Sequence, residues 1–167
     1  MTTSNNIILN HTQIDQKIKR IAYQIYESNS SEKEIIIAGI VGNGYLFAEK
    51  LSAMLREISP INITLCQVYI NKKQPLDPIT TSLSETAYTN KSIVLVDDVL
   101  NSGYTLIYGI KHFLNVPLKQ FKTAVLVNRN HKKFPVKADF KGISLSTSIK
   151  EHVTVVFNDD NASAFLM

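Results

Sequence analysis

The chain has 167 residues, 44% of them hydrophobic and 19% charged, which suits one globular domain, 1–167, with a single sizeable core. No run of 18 apolar residues occurs, so a membrane-spanning helix is excluded, and one cysteine, Cys66, excludes a disulfide framework within the chain. The formal net charge of +4 is unevenly spread: Lys119, Lys122, Arg129, Lys132, Lys133, Lys137, Lys141 and Lys150 stand against Asp139 alone in the segment 119–150. Such a concentration suits an anionic partner, phosphates or RNA, although a solvated lysine-rich surface is the commoner meaning of a charge run. The opening stretch 1–10 is polar and uncharged and lacks the pattern of a secretory signal, so a cytoplasmic protein is expected.

In chain order, Thr12–Tyr26 reads as an amphipathic helix, with Ile14, Ile18, Ile21, Ala22 and Ile25 on one face and Thr12 with Asp15 as a capping signal. Glu34–Ile40 is a β-branched apolar run that reads as a strand buried on both faces. The loop Val41, Gly42, Asn43, Gly44 leads into a helix carrying Phe47, Leu51, Met54, Leu55 and Ile58, which ends at Pro60. Ile61–Ile70 reads as a second strand. Asn71–Asn90 is polar, holds Pro75 and Pro78, and shows no period; a loop that long inside a compact domain is either functional or disordered. Ser92–Val96 reads as a third buried strand, followed from about Gly103 by a helix with Leu106, Ile110, Phe113 and Leu114 inward. Thr123–Val127 reads as a fourth strand. The remainder reads as a loop-rich basic tail with one more strand at Val153–Phe157. This alternation predicts an α/β fold, a doubly wound parallel sheet with flanking helices, whose ligands bind at the carboxyl ends of the strands.

The chemistry concentrates in Ile93-Val94-Leu95-Val96-Asp97-Asp98-Val99-Leu100-Asn101-Ser102-Gly103-Tyr104-Thr105. A buried strand delivers two carboxylates to the sheet edge, and a short hydroxyl- and glycine-containing loop then opens a helix. Free N–H groups at a helix start bind phosphate, Gly103 permits close approach of backbone to the anion, and Ser102 and Thr105 add hydroxyl donors. Paired acids beside such a cradle suit hydroxyls and magnesium, not phosphate, so the implied ligand is a sugar phosphate with free hydroxyls.

This segment resembles the phosphoribosyl pyrophosphate motif of type I phosphoribosyltransferases. The whole chain, over roughly 10–157, is similar to the pyrimidine-operon attenuator/uracil phosphoribosyltransferase group. The similarity runs through Arg20-Ile21-Ala22-Tyr23-Gln24-Ile25, through Gly39-Ile40 to Gly44-Tyr45-Leu46-Phe47, and through Ala124–His131 with Phe134–Gly142. The resemblance implies a small hood from both termini, about 1–30 and 128–167, and a lid at about 71–90. It implies that Asp97 and Asp98 hold the ribose hydroxyls, with magnesium bridging the substrate. Asn101, Ser102, Gly103, Tyr104 and Thr105 would cradle the 5′-phosphate, Val41, Gly42, Asn43 and Gly44 would face pyrophosphate, and Val127, Asn128, His152 and Val153 would lie near the base. A homodimer is implied in the same way.

Three positions depart from the group's pattern. Val41, Gly42 and Asn43 supply no basic side chain to the pyrophosphate loop, Tyr104 stands where Arg or Lys is usual, and Tyr69-Ile70-Asn71 lacks an acidic and basic pair, although Lys72 and Lys73 follow. A diphosphate without a charge-assisted donor is held more weakly, which would lower or abolish catalysis. Asn101 cannot act as a general base, which argues against purine substrates. Three readings stay open: a phosphoribosyltransferase using uracil or a similar base, a nucleotide-sensing RNA-binding regulator of pyrimidine genes, and a catalytically lapsed nucleotide-binding homologue.

Overall fold

The computed structural model describes residues 6–148, 150–158 and 160–167. The positions 1–5, 149 and 159 of the expected hood segments therefore lie outside the described residues. The elements run β1 (Asn6–Leu9), α1 (His11–Ser28), β2 (Glu34–Ile40), α2 (Asn43–Ile58), β3 (Asn62–Tyr69), β4 (Thr80–Thr81), α3 (Glu85–Tyr88), β5 (Ser92–Leu100), α4 (Tyr104–Phe113), β6 (Gln120–Arg129), β7 (Phe140–Leu145), β8 (Val153–Val156) and β9 (Ser163–Leu166).

Six strands form the main sheet in the order β4-β3-β2-β5-β6-β7. All its pairings are parallel except that of the two-residue β4 with β3. Successive residues of β2 and β5 face opposite sides of the sheet, as the strand period demands. Ile35, Ile37, Val94 and Val96 pack with Ile14, Ile21 and Ile25 of α1 and Phe47, Leu51 and Leu55 of α2. Ile36, Ala38, Ile93 and Leu95 pack on the other side with Leu106 and Phe113 of α4. The sheet is thus covered on both faces, which is why these strands are apolar throughout.

Both chain ends join a second, three-stranded antiparallel sheet in the order β1-β9-β8. It is tied to the larger body by Phe47, whose ring stacks on Phe157 at 6.1 Å, and by the amide of Ala162, which donates to His11 Nδ1 at 3.0 Å.

Several local expectations change. α1 begins at His11 and not Thr12, because Asn10 caps it: Gln13 N–H donates to Asn10 Oδ1 and the Asn10 N–H donates to Gln13 Oε1, both at 2.9 Å. Leu114 lies beyond the last turn of α4 and is 60% exposed, so it is no core residue. The segment 71–90 is not featureless: β4 pairs with β3, and Tyr88 of α3 is buried edge-on against Phe113 at 5.1 Å. The basic tail holds more strand than one run at 153–157, since β7 pairs with β6, and β9 pairs with both β8 and β1.

Candidate functional site

β5 sits between β2 and β6, where the chain reverses its direction of winding: the α2 crossover carries it one way to β3, the α4 crossover the other way to β6. The loops after neighbouring strands diverge at such a switch point and leave a crevice at the carboxyl ends. A cleft of about 230 Å³ opens there, lined by Lys72, Asp97, Asp98, the run 99–106, Val125 and Val153. Asp97 is buried to 4% exposure, while Asp98 is half-buried at the rim. The Asp97 Oδ1 atom accepts from the Asp98 N–H at 3.0 Å and lies 3.4 Å from Lys72 Nζ. Burial pushes the Asp97 carboxyl up to about 7; Lys72 opposes this rise, and the charge of Asp98 adds to it.

Beyond the aspartates, Gly103 adopts φ 85° and ψ 1°, the left-handed region, and starts α4. That conformation, which glycine adopts at least cost, turns the chain from the loop into the helix at the wall of the cleft. A Cβ at Gly103 would meet Val136 Cγ2 at 2.5 Å. The cradle is held from behind by the segment between β6 and β7: the amides of Lys133 and Phe134 donate to the Ser102 carbonyl at 2.8 and 3.1 Å. The Tyr104 N–H donates to Ser102 Oγ at 3.2 Å. The Tyr104 ring stacks on Phe134 at 5.1 Å and meets Tyr108 edge-on at 5.2 Å, so its side chain covers the helix start by apolar packing.

The loop after β2 borders this cleft without lining it. Gly42 has φ 107° and precedes α2, and Val41 is exposed. Gly44 is pressed against the aspartates: a Cβ there would stand 2.8 Å from Asp97 Oδ1 and 3.1 Å from the Val96 carbonyl. Asn43 directs its amide away, donating from Nδ2 to the Val155 carbonyl of β8 at 2.8 Å. The residues assigned to the base side are dispersed. Val153 lines the cleft, Val127 is fully buried in the core, and His152 is exposed, with backbone bonds to Met167 in both directions. Asn128 is buried and donates to Ser144 Oγ at 3.2 Å, and its Oδ1 has no hydrogen-bond partner among the described residues.

Two residues at the site carried no assigned role in the sequence. Lys72 had only its charge and its position after a strand to mark it. Arg129 was counted merely as one of eight cations, yet it is 6% exposed and spends its guanidinium on neutral acceptors. It donates to Asn101 Oδ1 and Thr147 Oγ1 at 2.9 Å, and to the Ser148 and Glu151 carbonyls at 3.2 and 2.6 Å. It therefore ties the loop that holds Asn101 to the segment that leads into β8. Glu151, on the surface, has its carboxyl held below the usual range by hydrogen bonds from the backbone of Ser148.

A mostly parallel sheet thus brings paired acids and a glycine-led helix start together in one cleft at its switch point. Consistent with it, residues 4–160 match the phosphoribosyl transferase domain family, and the chain belongs to that family. Among its relatives are two proteins named bifunctional protein PyrR. The one from Fusobacterium nucleatum is 32% identical, with 95% of this chain and 94% of the relative covered. The one from Macrococcus caseolyticus is 29% identical, with 96% and 97% covered. Solved structures share the fold. A hypoxanthine-guanine phosphoribosyltransferase from Bacillus anthracis superposes with a TM-score of 0.75 at 18% identity, covering 96% of this chain and 97% of that one. The hypoxanthine phosphoribosyltransferase of Trypanosoma cruzi gives 0.76 at 14% identity, covering 96% and 95%.

Proposed function

We propose that this chain transfers ribose 5-phosphate from phosphoribosyl pyrophosphate to a nitrogen of a uracil-like base. The bond between the sugar's anomeric carbon and the diphosphate oxygen breaks, a carbon–nitrogen bond forms, and the base nitrogen gives up its proton. The observation that carries this reading is the meeting, in one cleft, of a strand ending in Asp97-Asp98 with the left-handed Gly103 cradle. The amides of 103–105 and the Ser102 and Thr105 hydroxyls would take the 5′-phosphate. Asp97 and Asp98 would accept from the ribose hydroxyls, and the base would lie toward Val153, the base-side residue that lines the cleft.

Among the described residues no three His, Cys, Asp or Glu gather as a metal site. Asp97 and Asp98 would stand beside a magnesium ion carried by the diphosphate, and such an ion would neutralise charge on the leaving group. The chain's own contribution would be positioning: two acids, a cradle and a lid at about 71–90 would hold the reacting carbon in line. A cytoplasmic location and a homodimer are part of the same reading.

Calorimetry with phosphoribosyl pyrophosphate and magnesium tests the site. Asp98→Asn should weaken binding roughly tenfold, the worth of a charged hydrogen bond, with an unchanged melting temperature. Equal affinity in both proteins would reject the assignment. A screen of bases that follows pyrophosphate release tests the activity; no release above background with any base would leave a lapsed binding homologue.

A second role, as an RNA-binding regulator, is favoured by one feature of the fold. The segment that presents exposed Lys132, Lys133 and Lys137 also donates two amides to the Ser102 carbonyl of the cradle, so cradle and basic strip share one support. Binding of a structured pyrimidine-leader RNA should weaken steeply with salt. Replacing these three lysines should flatten that slope by about three, close to one for each phosphate no longer neutralised. Affinity indifferent to salt would remove this role.

A further inference from the structure

β6 ends in Arg129, which is 6% exposed and makes no ion pair among the described residues. Burying a charge is costly, so a guanidinium held this way must have its donors well placed. Its partners are all neutral oxygens, and the adjoining Glu151 spends its carboxylate on the Ser148 N–H at 2.6 Å. Among those partners Asn101 alone lines the cleft, and Arg129 itself does not. A guanidinium has donors only. The Asn101 atom that meets Arg129 Nη1 at 2.9 Å is therefore the amide oxygen, because the opposite orientation would set donor against donor. A free carboxamide offers a ligand either end, whereas this one has its acceptor committed. Among the described residues its Nδ2 makes no hydrogen bond, and Asn101 is exposed. A charged donor on the amide oxygen also polarises the amide, which strengthens its N–H groups as donors.

We infer that Arg129 is a positioning residue that locks the Asn101 carboxamide with its oxygen turned back toward β6, so that Asn101 meets the ligand as a donor only and selects an acceptor oxygen there. That oxygen belongs to the 5′-phosphate or to a carbonyl of the base. The inference rests on the phosphoribosyl pyrophosphate reading and adds to it a specificity element: a ligand that turns an N–H toward Asn101 finds no acceptor. It also accounts for the arginine at this place. Lysine has no fork to bind Asn101 and the segment before β8 together, and an uncharged residue would leave the amide free to turn over. The remaining bonds of Arg129, to Thr147, Ser148 and Glu151, hold the guanidinium still, and they join its position to the segment that leads to Val153 on the cleft wall.

The test is titration calorimetry with ribose 5-phosphate, which carries the phosphate and no base, and with uridine 5′-monophosphate, which carries both. Asn101→Ala should weaken binding roughly tenfold, as loss of one such hydrogen bond requires. Equal weakening of both ligands assigns the oxygen to the phosphate, and weakening of the nucleotide alone assigns it to the base. Asn101→Asp separates ligand contact from stability: its carboxylate pairs with Arg129 and should raise the melting temperature, while affinity falls below that of Asn101→Ala because acceptor then faces acceptor. Arg129→Met should weaken the same ligand that Asn101→Ala weakens, and the double variant should bind within about threefold of Asn101→Ala alone, since the arginine acts through the amide. Arg129→Lys gives the same cycle should Arg129→Met fail to fold. Thr147→Val, which removes an Arg129 contact on the β8 side only, should leave affinity within about twofold of wild type. Three results each overturn the inference: unchanged affinity for both ligands in Asn101→Ala, wild-type affinity in Asn101→Asp, or a loss from the arginine substitution that persists in full in the Asn101→Ala background. Wild type that binds neither ligand would instead bring down the underlying reading of the cleft.

Discussion

Replacing Asp97 by Asn should stabilise the unliganded protein while destroying its site. The carboxyl is 4% exposed, and its pKa stands at about 7 instead of 3.8 because burial disfavours the charge. At about 1.4 kcal/mol per pH unit, that displacement corresponds to about 4 kcal/mol. The folded value lies above the unfolded one, so as pH rises the unfolded chain releases this proton first. The favourable contribution is complete below the unfolded value of 3.8 and is lost as pH climbs through about 7. Asn keeps the shape and can still accept the Asp98 N–H, but it carries no charge to desolvate. Between about pH 5 and about pH 8 the variant should gain on wild type by about 2–3 kcal/mol, or about 5–10 °C in melting temperature for a domain of this size. Scanning calorimetry of both proteins across that range measures the gap, and sugar-phosphate binding measured alongside should fall in the variant. A gap that stays constant or narrows with rising pH would refute the claim that Asp97 is a desolvated acid.

Arg129→Met should cost about 2–4 kcal/mol, because it strips hydrogen bonds from Asn101, Thr147, Ser148 and Glu151 at once. Denaturant unfolding reads the change, and phosphate-ligand affinity should fall with it; Arg129→Lys should land between, since an ammonium lacks the fork. Gly103→Ala should cost at least about 1–2 kcal/mol from its left-handed backbone alone, and more from the 2.5 Å approach to Val136. Its clearest sign should be weakened binding of ribose 5-phosphate. Gly44→Ala should cost about 1–3 kcal/mol by overpacking against Asp97, and its effect on ligand binding should exceed its effect on melting temperature.

The parts legible in the sequence were those whose causes are local. The β-branched runs of β2 and β5 announce strands because each residue in them must be apolar to be covered on both faces. The step from Asp97-Asp98 through Ser102-Gly103 to α4 is readable because a strand end, a left-handed glycine and a helix start follow one another directly. Local signals also misled where a neighbour competed: Asn10 and Gln13 form the cap that Thr12 and Asp15 had suggested, and Leu114 continues an apolar period beyond the helix that would have buried it.

What the chain determined by itself, then, is the alternating framework and the acid-and-cradle motif, since each is a matter of side-chain period and backbone preference within a dozen residues. Only the tertiary structure brought Lys72 to Asp97, Arg129 to Asn101, and the amides of Lys133 and Phe134 to the Ser102 carbonyl. Those pairings join residues 25 to 32 positions apart. They exist because the sheet order places β3, β2, β5 and β6 side by side with their carboxyl ends on one edge. No period in the sequence encodes that adjacency; it follows from which strands pair, and pairing is decided by the burial of the whole sheet at once.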